Sequence, residues 1–257
     1  MAIMSPAGFA AAQPDAAAGD AAAGRALVKR YADAIVGVEL VVTVKMKMGD
    51  REQPAREQRI EINGTVISPS GLTVTTLAGV DPQVSFDAAR ASQGGGGQRV
   101  ELVGAEFKEV KLRLADGKEV SARFVLKDAD LDLAFMAPET AEPGREYAHV
   151  NLADSADAAL LDRLFFVSRA PKTLQRVPLV RSTNILGIVE KPRRLYLLTD
   201  LAIAAPVFEG GGKLLGITLQ HFANGRLSGV VVLPAADIAD MAKQAAIAQA
   251  AAPKTGG

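Results

Sequence analysis

Apolar residues in the middle of the chain recur at every second position. In EVKLRL (109–114), Val110, Leu112 and Leu114 alternate with charged residues; Asp116-Gly117 then interrupts, and EVSARFVL (119–126) resumes the alternation. Period two is the pattern of a strand with one buried face, and Asp-Gly suits a tight hairpin turn, so this stretch predicts a β-hairpin. VGVELVVTVKM (36–46) and RIEINGTVIS (59–68) read the same way, separated by the charged, Pro-containing loop GDREQPAREQR (49–59), and Ser68-Pro69-Ser70-Gly71 turns the chain after the second run. DLDLAFM, RLFFVS, TLQRVPLV, ILGIVE, RRLYLLTD, APVF, KLLGITLQHF and LSGVVVLP follow as short strand-like runs. Helical spacing is confined to the ends: Leu27, Tyr31 and Ala34/Ile35 in residues 25–36, and the Ala-rich run after Pro234. Many short strands without helices between them predict an all-β protein of antiparallel sheets closed into barrels or sandwiches, rather than a parallel α/β sheet. Residues 81–106, with Gly94–Gly97, read as a surface insertion; no strand precedes the glycines and no helix follows, so they do not fit a phosphate-binding loop.

With 257 residues and 49% hydrophobic content, the chain can bury one sizeable core or two barrel-sized ones. Lys plus Arg (29) balances Asp plus Glu (29), which leaves no overall field to draw it to nucleic acid or an anionic membrane surface. The absence of cysteine removes disulfides, thiolate nucleophiles and Cys-ligated zinc together. No run approaches the roughly 20 apolar residues of a membrane span. Ala10-Ala11-Ala12 before Gln13 has the small residues of a signal-peptidase site but lacks a basic leader and an apolar stretch, so residues 1–24 read as a disordered Ala-rich tail or a signal-peptide remnant.

Candidate chemistry is sparse. His149 and His221 are the two histidines, and neither has the close spacing to a carboxylate that zinc sites favour; no metal and no cofactor are expected. Asp128, Asp130, Asp132 and Glu139 match four positions of a calcium loop, but Leu133 stands where its sharp turn requires Gly. His221 and Ser228 lie seven residues apart around Asn224-Gly225, where a hairpin would bring a base to a hydroxyl. Lys172, Arg176, Arg181, Lys191, Arg193 and Arg194 read as the solvated face of one hairpin.

Four strings nevertheless resemble the trypsin-like serine protease domain of the high-temperature-requirement (HtrA/Deg) family: GTVISPSGLTVTT, VKLRLADGKEVSARFVLKDADLDLAFM, NLADSADAALLDRLFFVSRAP and TDLAIAAPVFEGGGKLLGITLQ. The order of elements extends the resemblance over about residues 30–245. It implies two antiparallel β-barrels with flanking helices: a leading helix and first barrel over 25–140, a second barrel over 141–234, and a helix and tail over 235–257. The family's catalytic aspartate falls on Asp132, but its histidine position is Ala78 and its serine position Ile203. Between Thr199-Asp200 and Pro206 the chain is also shorter than the family pattern, without the Gly-Asn-Ser-Gly stretch whose amides form an oxyanion hole. Loss of serine or histidine alone costs about 10⁶ in turnover, so the resemblance implies a pseudoprotease without a PDZ module. Asp132, having no imidazole to orient, is expected to be held by backbone N–H groups or to face water. The expected role is binding of a protein or extended peptide, as a scaffold or regulatory subunit, homo-oligomer or part of a larger complex, in the periplasm or another exported compartment, with the cytoplasm as the alternative. A serine hydrolase with a displaced Ser228/His221 pair is the alternative activity.

Overall fold

The computed structural model describes residues 15–92, 100–142, 144–199 and 202–251. Ala10–Ala12, the Gly94–Gly97 run and Asp200 lie outside the described residues.

The first barrel is made by β1 (Ile35–Met48), β3 (Arg56–Val66), β4 (Thr73–Thr76), β5 (Val100–Arg113), β6 (Glu119–Asp128) and β7 (Leu133–Pro138). The short strand β2 (Arg51–Glu52) folds back on the end of β1. Strand order β1-β3-β4-β7-β6-β5 is closed by pairing of β5 with β1. The alternation in β1 drives this closure: Val36, Val38, Leu40, Val42 and Val44 all face inward against Leu112, Ala134 and Met136. The predicted 109–126 hairpin forms as β5–β6, with Gly117 at φ 83° and the Leu114 N–H donating to the Lys118 carbonyl at 2.9 Å.

The second barrel runs β8 (Arg163–Arg169), β9 (Pro178–Val189), β10 (Leu195–Leu198), β11 (Pro206–Glu209), β12 (Leu214–Ala223) and β13 (Arg226–Pro234), closed in the order β10-β13-β12-β11-β8-β9. Leu164, Phe166, Ile185, Tyr196, Val207 and Val232 fill it. A third apolar cluster joins the barrels: Val74, Leu133 and Phe135 of the first pack with Ile217, Leu219 and Leu233 of the second, under Ile238 and Ala245 of α4 (Ala235–Ala251). The two-barrel expectation with flanking helices therefore holds.

Helices depart from the sequence reading in two places. α1 spans Asp15–Tyr31, so residues 15–24 of the expected disordered stretch are helical. Alanine has the highest helix propensity, and the helix is anchored on the second barrel by Leu27 and by Tyr31, whose ring stacks on Phe208 at 4.4 Å and whose hydroxyl donates to the Gly212 carbonyl. α2 (Leu77–Val80) and α3 (Pro82–Ser92) follow β4, so the expected surface insertion begins as helix. The signal was present: Asp81 accepts the Gln83 N–H at 3.0 Å, and proline sits in the first helical position.

The basic residues after position 170 do not form one solvated face. Arg176 is turned between the barrels, where it pairs with Glu39 at 2.8 Å and Glu61 at 2.7 Å. Its Cζ would lie 2.6 Å from a Cβ on residue 37, so the guanidinium rests against the bare backbone of Gly37. Arg113 grips Glu39 from the other side, and its hydrogen bond holds that carboxyl below the usual carboxylate range, partly opposed by burial.

Candidate functional site

Where the barrels meet, β4 ends at Thr76 and the chain turns into α2, placing Ala78 in the first helical turn. The β6–β7 turn delivers Asp132 to the same point. Its Asp128 carboxylate accepts the Leu131 N–H at 2.9 Å, and Asp132 itself adopts left-handed φ 55°, a conformation that Asp tolerates better than most residues. The Leu77 N–H donates to the Asp132 main-chain carbonyl at 2.9 Å, which ties α2 to this turn.

Asp132 is 2% exposed, and its carboxylate is fully engaged. Oδ1 accepts the Ala78 N–H at 2.7 Å; Oδ2 accepts the Thr76 hydroxyl and, from the second barrel, the Gln220 N–H at 3.0 Å. Burial pushes the carboxyl above the ordinary aspartate value, and these hydrogen bonds only partly pull it back. Asp132 thus sits beside Ala78 and bonds backbone N–H groups of both barrels. Asp128 and Asp132 are turned toward their own chain rather than into a shared cation site.

The sign of its pH effect follows. With the folded value raised, the native state takes up a proton more readily than the unfolded chain, so Asp132 contributes most below its unfolded value, about pH 4, and that contribution is lost as pH rises through the folded value. Asp132→Asn sets an amide NH2 against either the Ala78 or the Gln220 N–H, a mismatch expected to cost about 1–3 kcal/mol. The deficit relative to wild type should be smallest near neutral pH and grow toward about pH 4 in paired urea titrations. A deficit independent of pH would contradict this account.

The other half of the site is the turn before β11. Ile203 is 38% exposed at its surface, and Ala204 is in the left-handed region at φ 58°. Thr218, a buried hydroxyl in the apolar run of β12, holds the turn down. The Ala204 N–H donates to the Thr218 carbonyl at 2.8 Å, the Ala205 N–H to the Thr218 hydroxyl at 2.9 Å, and that hydroxyl donates to the Ala202 carbonyl. From the first barrel, Thr65 donates to the Ala204 carbonyl at 3.0 Å. Both N–H groups that follow Ile203 are therefore directed inward, at Thr218. Sequence reasoning missed Thr65, Thr76, Thr218 and Gln220. The available signal was a hydroxyl residue inside a strand whose neighbours are all buried, since such a group must find a partner.

His221 and Ser228 do meet, across the β12–β13 hairpin whose turn residues Asn224 and Gly225 have φ 53° and 75°. His221 Nδ1 lies 2.6 Å from Ser228 Oγ, and that hydroxyl is 2.9 Å from the His221 carbonyl. The hydroxyl has two acceptors in reach, the His221 carbonyl and Nδ1, and the imidazole tautomer decides which of them takes its single proton. His149 is exposed on the segment between the barrels, with Nδ1 3.0 Å from the Tyr147 carbonyl. Among the described residues no group of three or more His, Asp or Glu is placed to hold a metal, and no helix is long and apolar enough to cross a membrane.

Two closed six-stranded antiparallel barrels with a buried aspartate between them define the trypsin-like class. Residues 62–217 match the family model of the trypsin-like peptidase domain, well over half the chain, and the chain belongs to that family. Among solved structures, the MamO protease domain of Magnetospirillum magneticum, in its apo form, is similar in fold: TM-score 0.51 and 17% identity, covering 82% of this chain and 97% of that one. No curated protein sequence matches the chain.

Proposed function

We infer that this chain is a non-catalytic, HtrA-like member of the trypsin-like family, acting as a scaffold or regulatory subunit by binding an extended segment of a protein partner. The observation that carries this reading is the state of Asp132: its carboxylate is already bonded by the Thr76 hydroxyl and by the Ala78 and Gln220 N–H groups, while Ala78 and Ile203 carry only hydrocarbon side chains, which can neither move a proton nor attack a carbonyl. What the shell retains is strand edge. Beyond Gln220, the edge of β12 that faces away from β13 has no backbone partner among the described residues, and main-chain pairing there requires no triad. An exported, periplasmic setting accords with the resemblance.

The 2.6 Å contact between His221 and Ser228 favours one second reading, a serine hydrolase with a displaced nucleophile. One preparation separates the two. The purified chain is expected to take up no fluorophosphonate probe and to leave casein uncut, while returning a protein partner on co-purification from native extract. Probe labelling that disappears in Ser228→Ala would overturn the non-catalytic reading, and failure to retain any partner would overturn the binding role.

A further inference from the structure

On β1 the alternation that builds the first barrel ends in sulfur: Val42 and Val44 are buried, Met46 is half-buried and Met48 is 43% exposed, all on one face of the strand. α3 lies over that face. A cavity of about 210 Å³ separates the two, with Val44 and Met46 of β1 and Leu102 of β5 on the sheet side and Pro82 and Phe86 on the helix side. We propose that Met46 is an oxidation site, through which a peroxide loosens α3 from the first barrel and from the second-barrel hairpin that α3 touches. α3 depends on this joint. Eleven residues are too few to hold a helix alone in water, and Pro82 is the one residue of α3 that is buried; Val84 packs on the barrel core and Phe86 is half-buried at the cavity. Its start is fixed by Asp81, which pairs with Lys127 at 2.8 Å. Its end places Ala91 beside the β12–β13 turn, where a Cβ on Gly225 would lie 3.8 Å from that of Ala91. The contact at Met46 thus lies between an anchored start and an end that braces the other barrel.

Oxidation changes what Met46 can do there. One oxygen of hydrogen peroxide transfers to the thioether: the S–O bond forms as the O–O bond breaks, the sulfur is oxidised by two electrons, and the peroxide is reduced to water. The product is polar and seeks a hydrogen-bond donor, which an apolar joint does not supply. Ser85, on the helix side of the cavity, already directs its hydroxyl to the Asp81 and Pro82 carbonyls, and Gln58 stands exposed at the mouth. The oxidised side chain is drawn to that mouth and away from Phe86, and α3 loses the contact. Met136, fully buried, and Met241, on α4, do not line this cavity.

Timed treatment of the purified chain with dilute hydrogen peroxide, followed by brief trypsin digestion and peptide mass mapping, tests this. Met48 should gain an oxygen first, without effect on α3. As Met46 follows, cleavage after Arg90, exposed in the last turn of α3, should quicken about tenfold or more, because such cleavage tracks the population of the locally opened helix. Methionine sulfoxide reductase should restore the original rate. Met46→Leu, which keeps the packing without an oxidisable sulfur, should stay closed under the same treatment, Met48→Leu should behave as wild type, and Met46→Gln should be open without peroxide; circular dichroism and urea midpoints check that all three are folded. Met46 left unoxidised in the folded chain, Met46 oxidised with cleavage after Arg90 unchanged, equal acceleration in Met46→Leu, or Met46→Gln as closed as wild type overturns the proposal. None of these outcomes bears on the binding role inferred above, because the measurement involves no partner.

Discussion

Placing a histidine and a serine at the two positions the resemblance assigns to them, as Ala78→His together with Ile203→Ser, is expected to leave the protein without measurable proteolysis. An imidazole at position 78 would have to compete for Asp132 Oδ2, which already accepts the Thr76 hydroxyl and the Gln220 N–H. A hydroxyl at position 203 would gain a nucleophile's chemistry but no base held ready to activate it, because the carboxylate that would orient the new imidazole is already bonded by three protein donors. Triad members act as a unit, and a nucleophile and base without an orienting carboxylate remain far short of the roughly 10⁶-fold that an intact triad contributes. Casein digestion and fluorophosphonate labelling of the double variant should match wild type within background. Labelling that requires both substitutions would mean that Asp132 can release one of its present donors to orient the new imidazole, and the reading of an inert site would fall.

The largest effect on stability is expected at Gly216. There β12 pairs with β13 opposite Pro234, and a methyl on residue 216 would overlap the Leu233 carbonyl oxygen while standing 2.8 Å from its carbonyl carbon and 2.9 Å from Val232 Cγ1. The obstruction is backbone inside a closed barrel, with Leu233 itself in the core between the barrels, so no rotamer change relieves it. Gly216→Ala should cost more than about 4 kcal/mol, at the exceptional end for a single substitution, or prevent folding of the second barrel altogether. Gly104→Ala on β5, where an added methyl meets nothing within 4 Å, should stay within about 0.5 kcal/mol. Equal urea midpoints for the two variants would contradict the packing described for β12 and β13.

Most strands were legible because their determinant is local. A half-buried strand writes its buried face into alternate residues, as Val36 through Val44 do, and Asp116-Gly117 and Asn224-Gly225 supply turns with the required positive φ. α3 has a readable start signal, Asp81 before Pro82, but the Gly94–Gly97 run that follows it gives the whole stretch the composition of a loop. Arg176 was misassigned for a different reason. Nothing next to it in sequence announces that Glu39 and Glu61, on strands of the other barrel, wait to receive it.

The sequence by itself determined the class of fold, and the proposal that Ala78 and Ile203 stand at the histidine and serine positions, with a shortened stretch before Pro206, likewise rests on residue identity and spacing along the chain. Only the tertiary structure decided what surrounds them: that Asp132 bonds N–H groups from both barrels, that Thr218 draws the Ala204 and Ala205 amides inward, and that Ser228 reaches both the imidazole and the carbonyl of His221. Hydrogen bonds between residues as distant as 132 and 220 are set by how two barrels dock, and docking follows the summed burial of side chains from every strand rather than any local pattern.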